Sequence, residues 1–404
     1  MLARTFNRLI YAAVLVVVAT PLWAFDDDYT INDIDFISGN FLDINAHQFR
    51  KSQNLMWYDA VNGWRISGAS LNVDRLYFDT ELKLERSLSE SVFVRLESAQ
   101  ELFYAPKDLP SPTIEAGVYP LGGPVGISML GTVNYDKRKS DLGLALTLGR
   151  RPWDYLFFAW SKVDYFYNEK NTIDETYYTQ EGENLRLEGA YKLAERHKLR
   201  FRFELDTPLE LFDPATDETF DHEAWNYDVT WDYLYSSRDL VGLAAKGFDV
   251  DKSIADNTNL VEQSISYYSV EAYWLRNLTP HHELTVGLRY DDFGERLRSP
   301  DDAQSNENYD YSSSQVYARW YHDYSIHQAL DIGMYVAWEE KSETFLDDAQ
   351  EDIIDDGVQG KLRLGWEYRS ADKRNALLFN LSLNLDDLAK DPGDGGAISF
   401  QSVF

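Results

Sequence analysis

The chain of 404 residues contains no cysteine, which removes disulfides, thiolate metal sites and covalently attached c-type haem from the ways it can be held together or put to work. Histidine is scarce, at seven, and basic residues are outnumbered, 38 Lys and Arg against 68 Asp and Glu. The resulting formal charge of −30 repels phosphate backbones, so no nucleic-acid partner is expected. Beyond the first two dozen residues no apolar run approaches the roughly 20 residues of a membrane helix, and the mean hydropathy is −0.44. A helical membrane protein is thereby excluded. Also missing are a Gly-X-Ser-X-Gly elbow, a P-loop and a dinucleotide fingerprint, so no cofactor is expected.

What is present begins with an address. Arg4 and Arg8 precede an apolar run from Leu9 to Ala19, followed by Pro21-Leu22-Trp23-Ala24 and then Asp26-Asp27-Asp28. This is the layout of a secretory signal peptide, with cleavage expected after Ala24. Residues 25–58 fit no strand pattern and are expected to form a periplasmic or lumen-inserted segment. The remainder, 59–404, reads as one β-domain.

In that domain apolar and polar residues alternate. Leu142, Leu144, Leu146 and Leu148 fall on one face of a strand, and Gly143, Ala145, Thr147 and Gly149 on the other. The same period recurs where Leu199, Phe201, Phe203 and Leu205 alternate with Arg200, Arg202, Glu204 and Asp206, and where Leu362, Leu364 and Trp366 oppose Lys361, Arg363 and Glu367. Short turns near Ser87, Leu121, Pro152, Arg196, Ser236, Thr279, Ser325 and Ala371 alternate with longer polar stretches at 106–112, 168–182, 212–223, 251–259, 298–309, 344–356 and 388–396. Turns on one side and loops on the other are the layout of an outer-membrane barrel. Parity predicts an all-β, transmembrane, antiparallel up-and-down barrel of about eighteen strands, with sixteen as the other count that uncertain strand ends permit.

The polar face predicts the lumen lining: Asp79, Glu81, Lys83, Arg95, Glu97, Arg200, Arg202, Glu204, Asp206, Arg289, Asp291, Lys361, Arg363, Glu367 and Arg369. Because both signs are present, ion pairs that brace the wall are favoured over a tuned selectivity filter. Trp225, Trp231, Trp274, Trp320, Trp338 and Trp366 are expected at the membrane interfaces. A secreted β-sandwich would instead have to bury these indoles in one very large core.

The chain ends Ile398-Ser399-Phe400-Gln401-Ser402-Val403-Phe404. This resembles the terminal strand of Gram-negative outer-membrane β-barrel proteins, in which a final aromatic, here Phe404, is the signal read by the barrel assembly machinery. The resemblance covers nearly the whole chain, and length and strand number are similar to porins and to alginate-export-type channels. It implies an outer membrane location, outer-membrane lipid and lipopolysaccharide as surroundings, and a porin-like channel for small hydrophilic solutes. Two other readings stay open: an exit pore for a secreted polymer such as an exopolysaccharide, served by a periplasmic partner, and a structural sheath around a partner protein. An enzyme is not expected. Asp221-His222-Glu223 is the one acid-histidine cluster, and three successive strand residues do not face one substrate. The acidic runs around Asp217 and Asp352 lack the spacing of a calcium loop, so no dedicated metal site is expected.

Overall fold

A computed structural model describes residues 51–404 apart from 73–74, 101–111, 133–139, 166–176, 256–259, 300–306, 346–351, 387 and 389–392. Among the described residues one α-helix, α1 (Lys51–Asp59), precedes nineteen strands. These are β1 (Gly63–Asn72), β2 (Arg75–Ser87), β3 (Val92–Gln100), β4 (Thr113–Val118), β5 (Val125–Thr132), β6 (Leu142–Arg150), β7 (Trp153–Lys162), β8 (Tyr177–Gln180), β9 (Glu183–Leu193) and β10 (His197–Asp213). They continue as β11 (Glu218–Leu234), β12 (Asp239–Ala255), β13 (Leu260–Thr279), β14 (His282–Arg298), β15 (Glu307–Asp323), β16 (Gln328–Phe345), β17 (Ile353–Arg369), β18 (Asn375–Asn384) and β19 (Gly393–Val403).

Each strand pairs antiparallel with its neighbours, and β1 pairs with β19 from Gly63↔Val403 to Ser70↔Gly396, which closes the ring. Eighteen strands form that ring. Closure satisfies the edge amides that a flat sheet would leave unpaired in hydrocarbon. Among the described residues the nineteenth, β8, pairs with the upper part of β10, at Glu210, Leu211 and Phe212, while β7 and β9 pair directly beneath it. The fold is thus a transmembrane antiparallel up-and-down barrel.

Alternation sorts the two faces. Along β16, Ala329, Asp331, Tyr335 and Ala337 are buried, while Leu330, Ile332, Met334 and Trp338 are exposed. Burial marks the inner face, and the exposed set forms an apolar belt. Leu288, 59% exposed on β14, lies in that belt. Leu288→Arg is expected to lower stability in bilayers by about 2–4 kcal/mol, and Leu288→Phe by little, as read from urea unfolding in lipid vesicles.

The short turns carry their own chemistry. Gly149 has φ of 91° at the register shift before Arg150, and a Cβ there would meet the Asp154 carbonyl oxygen at 1.9 Å. Only glycine fits. In the turn after β17, Asp372 accepts from the Ser370 hydroxyl at 2.5 Å and from the Arg374 amide at 3.2 Å, and these bonds hold its carboxyl below the ordinary range.

The expected outer loops need correction. Between β10 and β11 only residues 214–217 turn, so most of 212–223 is strand, and strand structure likewise covers Asp251–Ala255, Ile353–Asp356 and Gly393–Gly396. β10 to β17 each run 17 to 20 residues, against the roughly 9–11 that cross a bilayer. Above the belt both faces of a strand meet water, so charge no longer argues against pairing. Opposite charges face each other there, as in Glu262↔Arg298 and Lys341↔Asp355. The segment 168–182 contains β8, and 106–111 and 133–139 lie outside the described residues.

Candidate functional site

A ring of eighteen strands, at about 4.8 Å spacing and about 40° tilt, is roughly 35 Å across between backbones. Side chains alone do not fill such a space. Inside it stands α1, whose nine residues span about 14 Å.

The helix is tied to strands on opposite sides of the lumen. Lys51 Nζ lies 2.6 Å from Glu271 of β13. Gln53 Nε2 donates to Glu367 of β17 at 2.7 Å, and its carbonyl accepts from Gln401 of β19. Arg65 of β1 donates to Asn54, and Trp57 Nε1 to Glu81 of β2 at 3.0 Å, while Lys83 donates to the Trp57 carbonyl. The Arg200 guanidinium of β10 lies 4.1 Å from the Tyr58 ring centroid, and Asp59 accepts from Lys198 of the same strand at 2.9 Å and from Trp153 of β7 at 3.1 Å. Trp57 and Gln53 are almost wholly buried. Most of these wall residues lie within a few positions of the short turns, so α1 occupies the short-turn end of the lumen.

The wall that receives it is laced with ion pairs. Arg95 lies between Glu85 at 2.6 Å, Glu97 at 3.8 Å and Glu115, which also accepts from Ser128. Arg151 and Arg186 both reach Glu97 and Glu188. Across the barrel Asp331 meets Arg319 at 2.7 Å and Arg363 at 3.7 Å, and Arg369 bridges Glu367 and Asp323. Between these clusters Arg289 holds Asp291 at 2.7 Å, and Arg200 holds Asp232 at 3.0 Å. Arg202 pairs with Glu204 and Asp206 accepts from Asn184, both at 2.6 Å. Lys361 is half-buried on β17, and Asp79 stands opposite Ser67 in the β1–β2 pair.

A second class of lumen residue is aromatic. Tyr155, Tyr267, Tyr273 and Tyr317 point inward and donate to Glu188, Asp291, Asp232 and Glu271. Glycines make room for two of these rings: a Cβ on Gly242 would lie 2.2 Å from Tyr273, and one on Gly287 2.4 Å from Tyr317. Inward aromatics also build two apolar patches, one around Phe248, Ile265 and Phe293, the other around Trp153 and Phe157. The paired Gly and Tyr on neighbouring strands were the available signal.

The tryptophans fall at two heights. Trp231, Trp274, Trp320 and Trp366 stand three to five residues from the short-turn ends of β11, β13, β15 and β17. Trp225 and Trp338 lie higher: Val358, the partner of Trp338, is eight residues before Trp366, roughly 20 Å along the barrel axis. Phe404 is exposed, and its amide donates to the Asn62 carbonyl at 3.2 Å. On β11, His222 shares the inward face of Ala224, whereas Asp221 and Glu223 share the outward face of Trp225, so the three do not converge. Among the described residues no group of three or more His, Asp or Glu is placed to hold a metal ion.

No protein-family model and no curated protein matches the chain. Among solved structures it is similar to the translocator domain of the autotransporter NalP from Neisseria meningitidis, at 9% identity over 87% of this chain and 92% of that one, with a TM-score of 0.35. Similar too are OccK2 of Pseudomonas aeruginosa, at 12% identity over 84% and 96% with a TM-score of 0.38, and OmpT of Vibrio cholerae, at 9% over 85% and 97% with 0.35. Likeness this faint says nothing of what crosses the barrel.

Proposed function

We propose that the chain is an outer-membrane channel for small hydrophilic solutes, exported by residues 1–24 and closed near its periplasmic mouth by α1. The supporting observation is the seat of that helix: it is bonded to seven strands of the ring, in a lumen otherwise too wide for side chains to fill. Part of the wall is held together without the helix. Without it Glu271 keeps Tyr317, Glu367 keeps Arg369, and Arg200 keeps Asp232. Glu271 then keeps a hydrogen bond but loses the ammonium paired with it, and Lys198 loses Asp59, so departure of the helix carries a cost that water entering the lumen must offset.

With both signs braced against each other, the open lumen would orient polar solutes without strong ion preference, and the overall acidity would tilt it modestly towards cations. Removal of residues 25–58 is expected to raise single-channel conductance in planar bilayers. Silence of both the intact and the shortened chain would reject an open channel.

A further inference from the structure

Lys51 reaches further from the short-turn end than the rest of α1. Glu271, its partner, lies eight residues from the end of β13, roughly 20 Å up the barrel. There the ammonium sits in a built site. Its nitrogen is 2.6 Å from Glu271 Oε2 and 4.3 Å from the centroid of the Tyr273 ring. The other carboxylate oxygen of Glu271 accepts from the Tyr317 hydroxyl. The Tyr273 hydroxyl is turned away to Asp232, which fixes the ring so that its face meets the cation. Gly242 and Gly287 leave the space in which both rings lie. The neighbouring charges are spoken for: Arg289 is bonded to Asp291, and Arg200 to Asp232.

A carboxylate held by one tyrosine and faced by a second is a receptor for an organic ammonium group, joining charge to the attraction of a cation for a ring. We propose that Glu271, Tyr273 and Tyr317 form a binding site for alkylammonium solutes, with Lys51 as its built-in occupant. The helix then closes the barrel in the manner of a competitive ligand, and the solutes favoured are those bearing a primary ammonium on an apolar stem. This extends the channel reading by naming a solute class, but binding itself requires no conduction.

The test uses the full chain. n-Butylammonium has the four carbons and the ammonium of the lysine side chain, and Lys51→Ala, which keeps only Cβ, opens the space for all of it but the terminal methyl. Calorimetric titration of the folded K51A variant with n-butylammonium is expected to show saturable binding in the millimolar range. Wild type should bind roughly tenfold more weakly, because Lys51 competes, and K51A/E271Q should not bind at all. Potassium chloride at matched concentration should give no saturable signal, since it lacks the stem. Lys51→Ser is the second variant, with folding of each checked by the shift in gel mobility on boiling. Equal affinity in wild type and K51A, or no saturation in either folded variant, would overturn the site. Conductance without such binding would leave the channel standing and remove the site, while binding without conductance would do the reverse.

Discussion

Cross-linking position 53 to position 367 is expected to hold the channel at its low-conductance level, and a reductant to release it. The chain has no cysteine of its own, so Gln53→Cys with Glu367→Cys gives a single reactive pair. The two native side chains meet at 2.7 Å, within the span of a short bis-thiosulfonate reagent. Before cross-linking, this variant has lost one anchor of α1, and its open probability should exceed that of wild type. After cross-linking the openings should fall at least tenfold, and dithiothreitol should restore them. Conductance unaffected by the linker would mean that solutes do not pass where the helix stands.

The second large effect concerns the wall. Arg95 is 5% exposed and is the shared counter-charge of Glu85, Glu97 and Glu115. Arg95→Leu takes from Glu85 and Glu115 the counter-charge described for them, Glu115 keeping Ser128, while Glu97 keeps Arg151 and Arg186. Removing one member of a buried ionic group costs about 3–5 kcal/mol, because the charge left behind is not compensated. Urea unfolding of the folded barrel, followed by tryptophan fluorescence, should show a midpoint well below that of wild type. Lys373→Ala, at an exposed turn near Asp323, should move it by less than about 0.5 kcal/mol. Equal midpoints for the two variants would deny the wall network its bracing role.

How far the fold could be read from the chain depended on what lay on each face. Where hydrocarbon meets one side, as from Leu142 to Leu148, a period of two survives intact, and strand, direction and ring closure follow from it. Where water meets both sides, as from Asp213 to Glu223, that contrast vanishes, and strand reads as loop. Inside the lumen, charged positions such as Arg200 and Glu367 stand out because nothing else explains them opposite leucines. Inward tyrosines do not, because Tyr273 and Trp274 look alike in sequence, and only the glycine across the sheet decides which ring lies inside. The helix escaped notice because its residues, Lys51 to Asp59, carry neither a strand's period nor an amphipathic stripe. Lys51, Gln53, Asn54, Trp57 and Asp59 are instead each bonded to the wall.

The link between helix and barrel is three residues long, and it runs through the seam where the ring closes. Asn62 accepts from the amide of Phe404 and from that of Glu85, and Gln401 of the last strand donates to Gln53. The seat of α1 is therefore complete only where β1 and β19 have met. A cask open along one seam offers its bung no complete seat, so if α1 is the stopper proposed above, sealing of the interior waits on closure of the circumference.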